Sequence, residues 1–334
     1  MATYKEIFGT NIEVLASDPA NPVEGQVWYN STSNVVKGEV FQAAAWATGG
    51  NLNTAVTRGY GFGQKTSALS FGGLLAPGAP NKTGQTESYN GSAWTEVNDL
   101  NTARYDLAGA GYGDNTAGLC FSGQTGAGLQ VLNESWNGTS WTEVADLNTS
   151  GAAGMGAGTS TSALRFGTQS SPFGECESWN GSSWTEVAEL NNGRRLGGAG
   201  GIDNTSALAF GGNVPGGAAN LTFTESWNGT SWTEVADLNT GRTDLSGNGT
   251  VTSALASAGV TTPSTFQSLT ESWNGTSWTE TTDLSTVRRR PQNNAGSNNT
   301  SALLSGGESG PGALLTNTEE WTGATTVPAT FTDS

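Results

Sequence analysis

The chain has 334 residues, of which 49 are glycine and only 13% are charged, and its formal net charge is −16. Glycine at that density, with no apolar period of 3.6 held over three turns, excludes a helical protein, and the acidity opposes binding to nucleic acid phosphates or anionic membranes. The complete absence of histidine removes Ser-His-Asp and Cys-His nucleophile systems, the usual zinc sites and the commonest general base near neutral pH.

From the N-terminus, Met1 to Thr10 has neither a basic n-region nor an apolar h-region, and no run of eighteen apolar residues follows. Neither a cleaved signal nor membrane insertion is expected. Residues 1–40 form a first segment, in which Val27 to Lys37, after the turn-rich Asp18-Pro-Ala-Asn-Pro22, predicts a small β-hairpin. The next residues, Ala45-Trp-Ala-Thr-Gly-Gly-Asn-Leu-Asn53, align from their Trp onward with Trp94 to Asn101 further along.

A repeat then occupies the chain. Glu134-Ser-Trp-Asn-Gly-Thr-Ser-Trp-Thr-Glu-Val-Ala-Asp-Leu-Asn148 recurs verbatim from Glu225 to Asn239, with related copies at Glu87, Glu177 and Glu271 and a truncated one at Glu319. The steps are 43 to 48 residues, and each of the six units also carries an upstream element of the type Thr66-Ser-Ala-Leu-Ser-Phe-Gly-Gly73. Four short strands per unit follow. The first is glycine-rich, as in Leu107 to Gly113, and suits a crowded inner position; the second is the apolar Ser-Ala-Leu-x-Phe strand; the third and fourth flank Asn-Gly, a strong hairpin signal. The segment at Trp46 is a fourth strand without a third, and Glu319 to Gly323 is a third strand without a fourth. Each supplies what the other lacks, so the ring is expected to close by strand exchange, with Thr325 to Phe331 as the alternative outer strand.

The Gly-Gly that ends the second strand, the aromatic of the third, the Trp that opens the fourth and a following Leu-x-x-x-Arg resemble the kelch repeat. The resemblance implies a six-bladed kelch-like β-propeller over residues 41–328, with 329–334 as a tail. The Arg position is assigned to Arg58, Arg104, Arg194 and Arg242, with Arg288 as a shifted candidate and none in the third unit. The pattern Gly25-Gln-Val-Trp-Tyr-Asn30 followed by Asn34 to Gly38 is similar to a short segment of phage tail-fibre and appendage proteins, and the Trp-Asn-Gly-Thr-Ser-Trp-Thr-Glu-Val copies resemble structural proteins of marine bacteriophages.

Motifs that suggest chemistry have plainer explanations. The Asn-Gly-Ser/Thr triplets at Asn90, Asn137, Asn180, Asn228 and Asn274 are sequons in form and hairpin turns by position. Ser135 to Trp141 is similar to the Asp-box hairpin of sialidases, but its Gly and Trp arrive one residue early and Asn replaces Asp. Kelch oxidases of the copper-radical type need histidine ligands that this chain lacks. Glu134, Glu143, Asp146 and their equivalents recur in most units, whereas a catalytic carboxylate pair is expected to break the repeat, so their expected job is solubility and protection of edges. Asp114-Asn-Thr and Asp203-Asn-Thr are taken as turns rather than calcium loops. Cys120 and Cys176 are expected as free, strand-borne small hydrophobes.

Length variation is concentrated. From each third-strand Glu to the end of the next Gly-Gly element the spacing is 34 to 36 residues, and from there to the following Glu it runs from 9 to 14. The connections between second and third strands therefore form the face free to diversify. Expected contacts on that face are Asn81, Lys82, Gln130, Phe173, Asn213 and Phe266, and Trp28 and Tyr29 of the first segment are expected to dock to a particle. The resulting expectation is a non-enzymatic virion protein, without cofactor or metal, present in multiple copies per particle beside other virion proteins and binding a host-surface glycan or protein. Capsid decoration, a bacterial adhesin and a polysaccharide-active enzyme are the rival readings.

Overall fold

A computed structural model describes residues 12–75, 81–113, 115–216 and 219–331, and its regular structure is entirely β. Two compact units emerge, residues 46–322 and a smaller one of residues 1–45 with 323–334.

The larger unit contains six four-stranded sheets. Blade 1 comprises Tyr60–Gln64, Ser67–Phe71, Thr86–Tyr89 and Trp94–Val97; blade 2, Ala108–Ala110, Gly118–Phe121, Asn133–Trp136 and Trp141–Glu143; blade 3, Met155–Gly158, Ala163–Phe166, Cys176–Trp179 and Trp184–Glu186. Blade 4 has Gly198–Asp203, Ser206–Phe210, Thr224–Trp227 and Trp232–Val235; blade 5, Ser246–Thr250, Ser253–Ser257, Thr270–Trp273 and Trp278–Glu280. Blade 6 has Asn293–Asn298, Ser301–Ser305 and Thr318–Thr322, and its outer strand is Ala45–Thr48 from the other end of the chain. The first strands contact one another in succession, and that of blade 6 contacts that of blade 1, so the sheets form a closed ring.

Glycine makes the inner ring possible. A Cβ at Gly156 in blade 3 would strike the Gly109 carbonyl of blade 2, so any larger residue would push the blades apart. Further out, an aromatic of one blade's second strand packs on the fourth-strand Trp of the next: Phe71 on Trp141, Phe121 on Trp184, Phe166 on Trp232 and Phe210 on Trp278, with ring centroids 4.8 to 5.1 Å apart. Within a blade, third- and fourth-strand rings meet at 5.3 to 5.4 Å in the Trp pairs of blades 2 to 5. Trp46 reproduces this against Trp321 at 5.3 Å, in the place the exchange model assigns it.

The Asn-Gly hairpins have four-residue loops. In blade 2 Trp136 pairs with Trp141, Gly138 takes φ +90°, and Asn137 Oδ1 accepts from the backbone N–H groups of Thr139 and Ser140. Asn therefore serves as an acceptor cap and only the Gly occupies the left-handed region.

The third-strand glutamates correct the expectation of surface carboxylates. Glu87, Glu134, Glu177, Glu225, Glu271 and Glu319 are all buried. Each accepts hydrogen bonds from the segment entering its blade, as Glu134 does from the N–H groups of Asn101 and Thr102 and from Asn101 Nδ2. Glu143 and its fourth-strand equivalents remain exposed. Asp146 caps the third strand by accepting from Asn133 N–H, and Asp99, Asp237 and Asp283 do the same for their blades.

Arginine completes four of these sites, in the pairs Arg104–Glu134, Arg194–Glu225, Arg242–Glu271 and Arg288–Glu319, with every guanidinium fully buried. Burial pulls Arg194, Arg242 and Arg288 below their usual pKa while the paired glutamates pull upward. The assignment of Arg58 to this set is wrong and that of Arg288 needs no shift. Val56 occupies the blade 1 position, four residues after Leu52, whereas Arg58 lies two residues later at φ +60° and is partly exposed. Blade 3 carries Gly151 there, and Arg165 of its own second strand fills the space, with Nη1 3.1 Å from Glu175 Oε2. A Cβ on Gly151 would collide with that guanidinium.

The smaller unit is a sheet in the order Glu13–Leu15, Val27–Asn30, Val35–Gln42, Thr325–Phe331. The C-terminal strand pairs antiparallel with Val36 to Gln42. Residues 325–328 thus belong with the N-terminal segment rather than the propeller, and 329–331 are strand rather than tail. Pro328 fits because this strand lies at the sheet edge, where a missing N–H can face away from the ladder.

Candidate functional site

The up-down order of each blade places the second-to-third connections on the same face as the segments entering each blade. Short antiparallel bridges tie the two together: Thr57 to Leu74, Tyr105 to Gln124, Arg195 to Asn213, Thr243 to Val260 and Arg289 to Glu308. In blades 2 and 5 the connection itself forms a minimal hairpin, Gln124–Thr125 with Gly128–Leu129 and Val260–Thr261 with Thr265–Phe266. Residues 76–80 and 217–218 of the connections lie outside the described residues, as does Asp114.

At the mouth of the axial channel each blade has one residue in the left-handed region, next to the bridge residue in five blades and two residues after Gly151 in blade 3: Arg58, Asp106, Ala153, Leu196, Asp244 and Arg290, with φ between +48° and +60°. Each of these non-glycine conformations costs on the order of 1 kcal/mol. Backbone bonds offset the strain: Asp106 N–H donates to Arg58 O, Ala153 to Asp106 O, Leu196 to Ala153 O, Asp244 to Leu196 O and Arg290 to Asp244 O, at 2.7 to 2.9 Å. At the seam Gln292 spans to blade 1, donating from Nε2 to Phe71 O and Gly72 O and accepting from Gly59 N–H.

The side chains of this belt line a cavity of about 70 Å³ with Tyr60, Leu107, Leu245 and Pro291. Arg58 Nη1 lies 3.5 Å from Asp106 Oδ2, and Arg290 Nε lies 2.9 Å from Asp244 Oδ1. Arg289 reaches Glu308 at 2.8 Å and stacks over Phe266, 4.8 Å from its centroid. Burial pushes the Asp106 carboxyl above the usual range even though Arg58 and Arg290 oppose it. Burial works against the charge of Arg290, but Asp244 and Asp106 outweigh it and hold the guanidinium firmly protonated.

Deeper along the axis the channel is almost closed. Tyr60 Oη donates to Gly156 O and Tyr112 Oη to Ser297 O, each reaching a non-adjacent blade. The cavity among the inner glycines is about 50 Å³, room for a few waters. Among the described residues no three carboxylates or thiols gather as a metal site. Asp203 Oδ1 accepts from Thr205 N–H and Oγ1, which makes it a turn cap.

The six residues expected to make contacts fall on this face in different states. Asn81 is exposed, while its neighbour Lys82 is half-buried and bridges to Leu74. Gln130 spends its amide on Thr125 Oγ1 and Gly128 O; Asn213 Oδ1 accepts from Arg195 Nε; Phe266 supports Arg289; Phe173 is half-buried. The charged belt was missed because its residues differ from blade to blade and only their backbone conformation repeats. In the smaller unit Trp28 is fully buried and donates Nε1–H to Asp18 Oδ1, so it holds the sheet together and has no surface to dock with. Tyr29 is half-buried and donates to Asn34 Oδ1.

No protein-family model and no curated protein sequence matches the chain. Among solved structures it is similar to that of YjhT, with a TM-score of 0.66 and 13% identity, over 83% of this chain and 99% of that one. At that identity the likeness establishes the class of fold, a β-propeller, and nothing of the activity.

Proposed function

We propose that the protein is a non-enzymatic component of a bacteriophage particle, a propeller displayed in multiple copies on a tail or fibre appendage to bind a host-surface glycan or protein. One observation carries the recognition half: almost all length variation falls in connections on one face of a scaffold whose blades are otherwise nearly uniform. Rigid scaffolds with divergent loops are built that way for binding. The particle assignment rests on the resemblance of Gly25 to Gly38 and of the Trp-Asn-Gly repeats to phage structural proteins. Four exposed large apolar side chains, Val14, Val23, Phe41 and Phe331, fall in the small terminal unit and suit it to docking.

Mass spectrometry and imaging of purified particles test the assignment, with the expected result a stoichiometric band and density for the loop face pointing outward. Density showing the loop face held against the shell would replace receptor binding with decoration. Replacing Asn81 and Phe173 by Ala is expected to weaken attachment while shifting the melting temperature by no more than about 2 °C.

A further inference from the structure

Of the nine arginines, five are the fully buried partners of the glutamate sites. The other four, Arg58, Arg195, Arg289 and Arg290, all gather at the loop-face mouth. Arg58 and Arg290 line the cavity, Arg289 approaches Asp244 at 4.0 Å, and Arg195 is near enough to act on the charge of Asp106. Against them stand three carboxylates, Asp106, Asp244 and Glu308, so the mouth carries one positive charge in excess on a chain of net −16. Arg290 Nη1 is buried and has no hydrogen-bond partner, and a buried donor left unpaired is unfavourable.

We propose that this mouth is an oxyanion site that takes the carboxylate or sulfate group of an acidic saccharide; the saccharide part of the inference rests on the loop-face reading above. The cavity of about 70 Å³ admits one such group and not a whole sugar ring. The charged group therefore enters between Arg58 and Arg290 while the remainder lies across the surrounding connections. Guanidinium groups bind planar or tetrahedral oxyanions by paired, charge-assisted bonds, which gives the pocket its selectivity. Asp106 and Asp244 oppose a densely charged polyanion, consistent with the chain's overall acidity.

The test measures binding of a uronic-acid oligosaccharide and of its carboxyl-reduced neutral counterpart by calorimetry at constant ionic strength, using the full chain and the Arg58→Gln/Arg195→Gln variant. Arg58 is partly exposed and Arg195 sits beside the mouth, so the variant keeps the buried Arg290–Asp244 pair. The expected result is a preference of about tenfold or more for the acid form, falling to within about twofold in the variant, as loss of a charge-assisted bond requires. Equal affinity for both sugars in the wild type, or an undiminished preference in the variant, overturns the proposal. If neither sugar binds, the glycan reading fails by itself and inorganic sulfate decides the anion site. A sulfate-dependent rise in melting temperature that the variant lacks, and that chloride of equal ionic strength does not reproduce, sustains it. No rise refutes it.

Discussion

Trp46 Nε1–H donates to Thr270 Oγ1 at 3.0 Å across 224 residues of sequence. The bond has counterparts at Trp94 to Thr318, Trp141 to Thr86 and Trp278 to Thr224, each joining the outer strand of one blade to the third strand of the blade before it. Trp46 thus closes the ring by the same contact that builds it. Substituting Ala for Trp46 is expected to destabilise the protein by about 2 kcal/mol, less than the 3–5 kcal/mol for the fully packed Trp141, because Trp46 is only half-buried. Chemical denaturation of both variants checks the order. Deleting residues 41–53 exposes an edge on blade 6 and is expected to produce aggregation visible by light scattering.

Blades 3 and 4 depart from this contact, because Asn133 and Cys176 stand where Thr stands elsewhere, and the indole N–H groups of Trp184 and Trp232 lack a hydroxyl acceptor. Cys176→Thr is expected to stabilise by about 0.5–1.5 kcal/mol through the restored bond, read as a rise in denaturation midpoint at unchanged slope.

The same thiol sets a pH dependence. Burial pushes Cys120 up to about 11 and Cys176 up to about 12, against 9.0 for a free thiol. Between about pH 9 and 11 the unfolded chain has released these protons and the folded chain still holds them, so stability falls as pH rises, by about 1.4 kcal/mol per unit for each thiol. Unfolding curves at pH 9.5 and 10.5 are expected to show a shallower loss in Cys176→Thr than in wild type, and an equal loss would contradict the burial argument.

Arg288 and Arg58 each lie 46 residues from the nearest repeat arginine and look alike in sequence, yet their substitutions are expected to differ. Arg288→Met strands the buried Glu319 carboxylate and is expected to cost about 3–5 kcal/mol. Arg58→Met removes a partly exposed pair and is expected to cost no more than about 1 kcal/mol. Equilibrium denaturation separates them.

Gly151 and Arg165 form a compensating pair. Gly151→Arg alone places two guanidinium groups in one space, and Arg165→Ala alone leaves Glu175 without its cation. The double substitution recreates the arrangement of blades 4 and 5, where Ala209 and Ala256 stand at the second-strand position, and is expected to be more stable than either single. A double-mutant cycle measures the coupling.

Most of the architecture was legible in the sequence because strand signals recur: the Asn-Gly turns, the paired aromatics, the Gly-Gly ends and the two complementary half-units each name a position in a blade. The burial of Glu134 and its equivalents was not, since an isolated Glu is almost never fully buried. Its signals were the Leu-x-x-x-Arg partner and the run of backbone N–H donors after the preceding strand, which become visible only when neighbouring blades are set side by side. Arg165 was illegible for a different reason: a strand neighbour in space supplies a charge that the aligned column lacks. The belt from Arg58 to Arg290 carries two Arg, two Asp, one Ala and one Leu, so no single side chain marks the position and only dihedral angles reveal it.

The terminal ladder has a mechanical consequence. Val36 faces Phe331 and Gln42 faces Thr325, so chain arriving before Val36 and chain leaving after Phe331 meet at the same end of the pairing. A tension applied between those two points therefore peels the ladder one rung at a time instead of shearing all its bonds together, and the strand pair yields at low force as a sacrificial clasp.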